Sequence, residues 1–215
     1  RAGAPVSRLS AAPDGSRLLA STLRYEEGMP RLVVKEWDAA SGELTDLPYR
    51  RLRDATYAGA GAIAGIRVDG YETDLVLVRG GTETVLLSGT ERLSYASPVA
   101  GSDGRLYALA REDGVVSVIR VAFEGDEAAS VERLVLPEGL SWVRYLSCDE
   151  GVLRFSWDDG ALYRLAELPV AGGSSAGEGL SSAGELRYQT VPVSGGVHRP
   201  LASGGRVYYL GRFSG

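Results

Sequence analysis

Residues 173–177, Gly-Ser-Ser-Ala-Gly, put Ser175 at the centre of a G-x-S-x-G pattern, the spacing of a nucleophile elbow. That chemistry needs a strand before the serine, a helix after it, and an acid and a histidine within reach. Ser175 instead sits in a run of Gly, Ser and Ala (171–185) with no helical pattern behind it, and the chain holds a single histidine, His198. The match reads as an accident of composition in a loop. His198 could serve as a base, a ligand or a pH switch. With one histidine and one cysteine, Cys148, the chain lacks the ligands of a zinc site. A lone cysteine also excludes an internal disulfide. Residues 59–65, Gly-Ala-Gly-Ala-Ile-Ala-Gly, hint at a phosphate loop, but the spacing is not G-x-G-x-x-G and no helix follows. They read as a strand whose small residues permit close sheet packing. Asp158-Asp159-Gly160 and Glu112-Asp113-Gly114 lack the alternating carboxylates of a calcium loop and read as hairpin tips. No catalytic set, metal or cofactor is expected.

Bulk properties narrow the classes further. The 215 residues are 44% apolar, enough for one substantial core or two small ones. A net charge of −5 and a pI near 5.1 argue against a nucleic-acid surface, which needs a basic face. No apolar run approaches the roughly 20 residues of a helical membrane span. The chain begins at Arg1 rather than Met, as a processed or trimmed product does, and no signal peptide is visible in it.

The elements that position these residues come from a repeat. Turn-plus-strand units align on Gly15, Gly61, Gly104, Gly151 and Gly205, spaced by 46, 43, 47 and 54 residues. A second set of turn glycines, Gly28, Gly70, Gly114 and Gly160, recurs at 42, 44 and 46 residues. Asp or Asn followed by Gly supplies the positive φ of tight hairpins. The flanking runs, such as "RLVVKEW", "DLVLVR" and "VVSVIRVAF", are rich in the residues strands prefer. A further turn and strand close each unit, as in 41–47, 80–87 and 125–136. No segment keeps a 3.6-residue apolar period over three turns, so essentially no helix is expected. "EGDEAASVERL" reads as a turn followed by a strand.

Four short strands per unit of about 45 residues make a β-propeller blade. The expected blades are 5–50, 51–90, 91–137, 138–192 and an incomplete unit at 193–215. The stretch 171–185 lengthens the last spacing and reads as a flexible loop inside the fourth blade. Trp37, Trp142, Trp157 and most of the tyrosines are expected to pack between blades. Four and a half blades do not close a ring, and an open propeller exposes apolar faces and strand edges. The expectation is a piece of a larger propeller, completed by further sequence or by a second polypeptide. The alternative is a five-bladed ring with irregular last strands.

Alignment on the turn glycines puts Arg8, Ser97, Arg144 and His198 in one column, seven residues ahead of the glycine. On the first strand of each blade such a column faces the central channel. It forms either a site for an anion or a peptide carboxylate, or a solvated channel wall.

The turn "AAPDGSRLLAS" (11–21) resembles the SPDG repeat of TolB-like propellers, and "SPVAGSDGRLYALA" (97–110) carries the same logic. "HRPLASGGRVYYLG" (198–211) is a looser copy. The fourth unit has Asp149-Glu150-Gly151 without the proline, and the second lacks the Asp-Gly turn, so the chain resembles a divergent member. The resemblance implies an all-β propeller of four-stranded antiparallel blades and an extracytoplasmic, periplasmic location. It implies a non-catalytic scaffold that binds a protein, a peptide or a small ligand. Propellers of this kind also gate peptidases of the prolyl-oligopeptidase type, and that is the alternative function.

Overall fold

The strand-rich repeats fold as four sheets of four strands and a fifth pair. The computed structural model describes residues 5–59, 61–134, 136, 141–158, 163–170, 187–189, 197–203 and 206–211. Blade 1 holds β1 (Val6–Ala11), β2 (Arg17–Glu26), β3 (Met29–Asp38) and β4 (Leu44–Arg50). Blade 2 holds β5 (Leu52–Tyr57), β6 (Ala62–Asp69), β7 (Glu72–Arg79) and β8 (Thr82–Leu87). Blade 3 holds β9 (Leu93–Ala100), β10 (Leu106–Glu112), β11 (Val115–Glu124) and β12 (Glu127–Leu134). Blade 4 holds β13 (Ser141–Asp149), β14 (Val152–Asp158), β15 (Tyr163–Pro169) and β16 (Arg187–Gln189). β17 (Val197–Ser203) and β18 (Arg206–Gly211) form the last pair. Each sheet runs in chain order with antiparallel neighbours. Among the described residues there is no helix. The expected all-β propeller is the fold observed.

Turn chemistry explains why the hairpins form where they do. Gly15 has φ +71°, and the preceding Asp14 carboxylate accepts the Ser16 N–H and hydroxyl at 3.0 and 2.7 Å. This Asx-type bond holds the Pro-Asp-Gly-Ser corner. In blade 3 the equivalent Asp103 accepts the Arg105 N–H at 3.1 Å and the Tyr107 hydroxyl at 2.7 Å. In blades 1 to 3 the second hairpins are tighter. Asp113 and Gly114 both have positive φ, as a two-residue type I′ turn requires.

Alternation along the central strands divides the core between neighbours. On β7, Leu75 and Leu77 face blade 3, while Val76 and Val78 face blade 1. On β10, Leu106, Ala108 and Ala110 face blade 2, while Tyr107 and Leu109 face blade 4. A two-residue period sends successive side chains to opposite faces, so each core layer is an interface between blades. Phe155 and Tyr107, both fully buried, meet in the layer between blades 3 and 4. The tryptophans divide differently from expectation. Trp157 packs against that layer, whereas Trp37 and Trp142 are exposed.

The small-residue segment in blade 2 does serve close packing. A Cβ added to Gly65 on β6 would lie 2.5 Å from Cδ1 of Leu52, which is fully buried. Gly65→Ala is expected to cost about 1–3 kcal/mol, because Leu52 has nowhere to move. Urea denaturation of the two proteins measures it; an unchanged midpoint would show that the interface yields freely.

Candidate functional site

The first strand of each blade carries a residue too many for its partner, and β13 carries two, since Trp142 and Val143 also oppose Trp157. Asp54 and Ala55 together oppose Gly65, Ser97 and Pro98 oppose Ala108, Tyr145 and Leu146 oppose Phe155, and Arg199 and Pro200 oppose Tyr209. In blade 1 the irregularity falls at Ser7 and Arg8. Asp54, Ser97, Tyr145 and Arg199 have φ of 53, 51, 57 and 50°. These are β-bulges, which free backbone groups from the ladder and re-aim side chains. The strands that carry them, β1, β5, β9, β13 and β17, pack successively side by side.

The bulges are bonded to one another across the blades. The Ala55 N–H donates to the Ser21 hydroxyl of blade 1 at 2.9 Å. The Ser97 N–H points at the Asp54 carboxylate at 3.4 Å. Arg8 spans the interior: its Nη2 donates to the carbonyl oxygens of Leu146 at 2.9 Å and Pro98 at 3.2 Å. Both acceptors belong to bulges, so blade 1 is tied directly to blades 3 and 4. Burial lowers the Arg8 pKa from its ordinary value, and the Asp54 charge opposes that shift.

The expected column therefore separates. Arg8 and Ser97 are at bulges facing the interior, and Ser97 is only 8% exposed. Arg144 lies between the two bulges of β13, whose positive-φ positions belong to Trp142 and Tyr145. The reason is the turn. Blade 3 joins its first two strands through residues 101–105, whereas blade 4 uses only Glu150 and Gly151. Counting back from the glycine then slips by one. His198 lies on β17 opposite Leu210, and Arg199 takes the bulge; the His198 side chain lies outside the described residues, as do Ser175 and the 171–185 stretch. Asp54 escaped the column although it stands seven residues before Gly61. The irregular turn of blade 2 concealed it.

Two cavities flank these bulges. One of about 470 Å³ opens beside Asp54, Ser97, Tyr145, Arg53, Arg111 and Arg144. The Cζ atoms of Arg111 and Arg144 lie 5.2 and 5.6 Å from the ring centroid of Trp142, itself 51% exposed. The other, of about 340 Å³, lies between β1, β13 and the β17–β18 pair. There Arg199 sits 5.4 Å from the Tyr145 ring and donates to the Val6 carbonyl at 3.4 Å. Its rim includes the exposed apolar side chains Val6, Leu9, Leu201 and Tyr208. Among the described residues no group of three or more His, Cys, Asp or Glu is placed to hold a metal ion.

No protein-family model matches the chain, and no curated protein matches it. Solved structures do. TolB from Acinetobacter baumannii superposes with a TM-score of 0.64 and 13% identity, over 96% of this chain and 51% of that one. One of a pair of prolyl endopeptidases superposes with a TM-score of 0.59 and 19% identity, over 95% of this chain and 30% of that one. The β-propeller domain of the Trilobed protease from Pyrococcus furiosus matches at a TM-score of 0.56 and 9% identity, over 99% and 78% of the two chains. The chain is thus a β-propeller resembling TolB and the propeller domains of prolyl oligopeptidases, at low sequence identity. It spans about half the length of the first protein and under a third of the second.

Two outcomes follow from these contacts. Arg8→Met leaves the Pro98 and Leu146 carbonyls without their charged donor and is expected to cost about 2 kcal/mol. The exposed Arg92→Gln is expected to change stability by no more than about 0.5 kcal/mol. Equal melting curves for both variants would remove the cross-blade tie from the account. The second outcome concerns alkaline pH. Burial, reinforced by the Asp103 and Asp149 charges, pushes the Cys148 thiol up to about 11. Burial raises Tyr107 and Tyr95 as well. The native state holds these groups neutral while the unfolded chain ionises at ordinary values, so the unfolded state loses protons first. Their stabilisation is complete below about pH 8.5 and falls as pH rises toward the raised native values. Denaturant midpoints at about pH 8 and about pH 10.5 test the sign, and Cys148→Ala is expected to flatten part of the slope.

Proposed function

We propose that this propeller is a non-catalytic binding scaffold, whose ligand or protein partner engages the bulged inner strands and the cavities beside them. The observation that carries this reading is the cavity of about 470 Å³ walled by Arg53, Arg111 and Arg144 and floored by strands from three blades. Its volume falls in the range of small-ligand and peptide pockets. The structural likeness to TolB supports the scaffold reading and an extracytoplasmic, periplasmic setting. The partner is a protein or peptide, with no role for nucleic acid on an acidic chain of this kind.

A second reading has its own support. Prolyl endopeptidase and two other peptidase structures align with nearly the whole of this chain but only about a third of theirs. On that reading the chain is the gating propeller of a larger peptidase of the prolyl-oligopeptidase type. Both readings share one element: the exposed Val6, Leu9, Leu201 and Tyr208 are covered by further blades of the same polypeptide, the occupant that the partial coverage of the relatives favours.

Treatment of the native full-length protein with a fluorophosphonate serine probe, alongside its intact mass, separates the readings. The scaffold reading expects no covalent label and no hydrolysis of prolyl chromogenic peptides. Stoichiometric labelling on a segment outside these 215 residues would overturn it in favour of the peptidase propeller. A monomer with a mass of 22.7 kDa would dispose of the further blades.

A further inference from the structure

The distribution of arginine is uneven. Six arginines on the second, third and fourth strands of the blades are paired: Arg24, Arg67, Arg79, Arg120, Arg133 and Arg154 each meet a carboxylate. Arg53, Arg111 and Arg144 line one cavity, and among the described residues none of them is in an ion pair. Asp54 is the one carboxylate on that wall, and its charge also acts on Arg8. A chain of net charge −5 thus gathers three arginines that are in no ion pair among the described residues around one concave site, where low-dielectric walls strengthen the field.

The site is also organised. Trp142 and Tyr145 are held at φ of 55 and 57°, a conformation unfavourable for large residues that persists only where its surroundings enforce it. Trp142 thereby remains exposed beneath two guanidinium groups. A guanidinium resting on an indole engages its face and leaves its N–H edge available, with donors in a fixed planar fork. The Nε of Arg53 is buried and has no protein acceptor. Ser94 and Ser97 add hydroxyls to the same wall.

We propose that this cavity is a carboxylate-binding site, in which Arg111 and Arg144, carried on Trp142, grip a carboxylate while Arg53 receives a second acidic group. Planar guanidinium forks match the two oxygens of a carboxylate. Three arginines against Asp54 leave an excess that a ligand with two carboxylates neutralises. The carboxylates come either from an acidic segment of a protein partner or from a free small polycarboxylate, and the cavity volume admits both. The inference rests on the binding reading above and specifies its ligand chemistry.

Isothermal titration of the native full-length protein at low ionic strength tests it, with three probes: citrate, a blocked tetraglutamate peptide and inorganic phosphate. Saturable binding of citrate or the peptide, with Kd of about 1 mM or tighter, is expected, weakening as salt is added. Tighter binding of the peptide points to an acidic protein segment; tighter binding of citrate points to a small ligand. The Arg111→Gln/Arg144→Gln double variant is expected to bind at least tenfold more weakly, and Arg31→Gln, on β3 of blade 1 and outside the cavity lining, to bind as the parent does. If the double variant unfolds, the single Arg144→Gln change of an exposed side chain serves, with a loss of at least threefold. The proposal is overturned if neither carboxylate probe saturates, if phosphate binds more tightly than both, or if the folded arginine variants bind unchanged. Such a result leaves the scaffold reading to the serine-probe experiment, which does not depend on this cavity.

Discussion

A sheet that is apolar on both faces must be covered twice, and the architecture follows from that requirement. Val76 and Val78 need blade 1 as much as Leu75 and Leu77 need blade 3. No blade buries its side chains alone, so stability resides in the contacts between neighbours. Close packing also operates inside a sheet. Within blade 2, a glycine at position 65 of β6 leaves room for the Leu52 side chain of the adjacent β5. The need to cover both faces also makes the exposed apolar side chains around β1, β17 and β18 meaningful. They are faces of the same kind that lack a neighbour among the described residues.

Packing the first strands around a common interior creates a second problem, because adjacent blades present backbone groups to one another there. The bulges resolve it by turning some of those groups out of the ladder and toward the interior. Arg8 then collects two of the carbonyls, from blades 3 and 4. A buried guanidinium is costly unless its donors are used, and the bulge carbonyls take up the Nη2 donors. The architecture and the cavity thus have one origin. The irregularity that lets the inner strands pack also projects Asp54, Ser97 and Tyr145 to the wall where Arg53, Arg111 and Arg144 gather.

Much of this was legible before any coordinates. The glycine columns marked the hairpins, because positive φ at a tight turn leaves few alternatives to Gly. The runs of Val, Leu, Ile and Tyr marked the strands. The column through Arg8 and Ser97 falls at the irregularities of β1 and β9, since those blades have turns of similar length. In blade 4 it falls on Arg144, beside the Tyr145 bulge and not on it, because Glu150 and Gly151 alone make the turn there, yet Arg144 lines the same cavity as Ser97. Asp54 was hidden by the weak turn signal around Gly61. Arg111 could not be found by counting on first strands at all, since it is on β10, the second strand of its blade.

The sequence by itself determined the period, the strand class and the places where the chain reverses, because these depend on residues near one another in the chain. Only the tertiary structure decided which arginines are paired. Arg67 and Arg111 are alike in sequence, both on a second strand close to a hairpin. One meets Asp74 and Glu83 on its own sheet, and the other meets Trp142 on the next blade. That difference is set by how the sheets stack, since the contact between Arg111 and Trp142 joins strands of different blades. A charge acquires its role from neighbours that the fold brings to it, and those neighbours are not encoded at any fixed spacing along the chain.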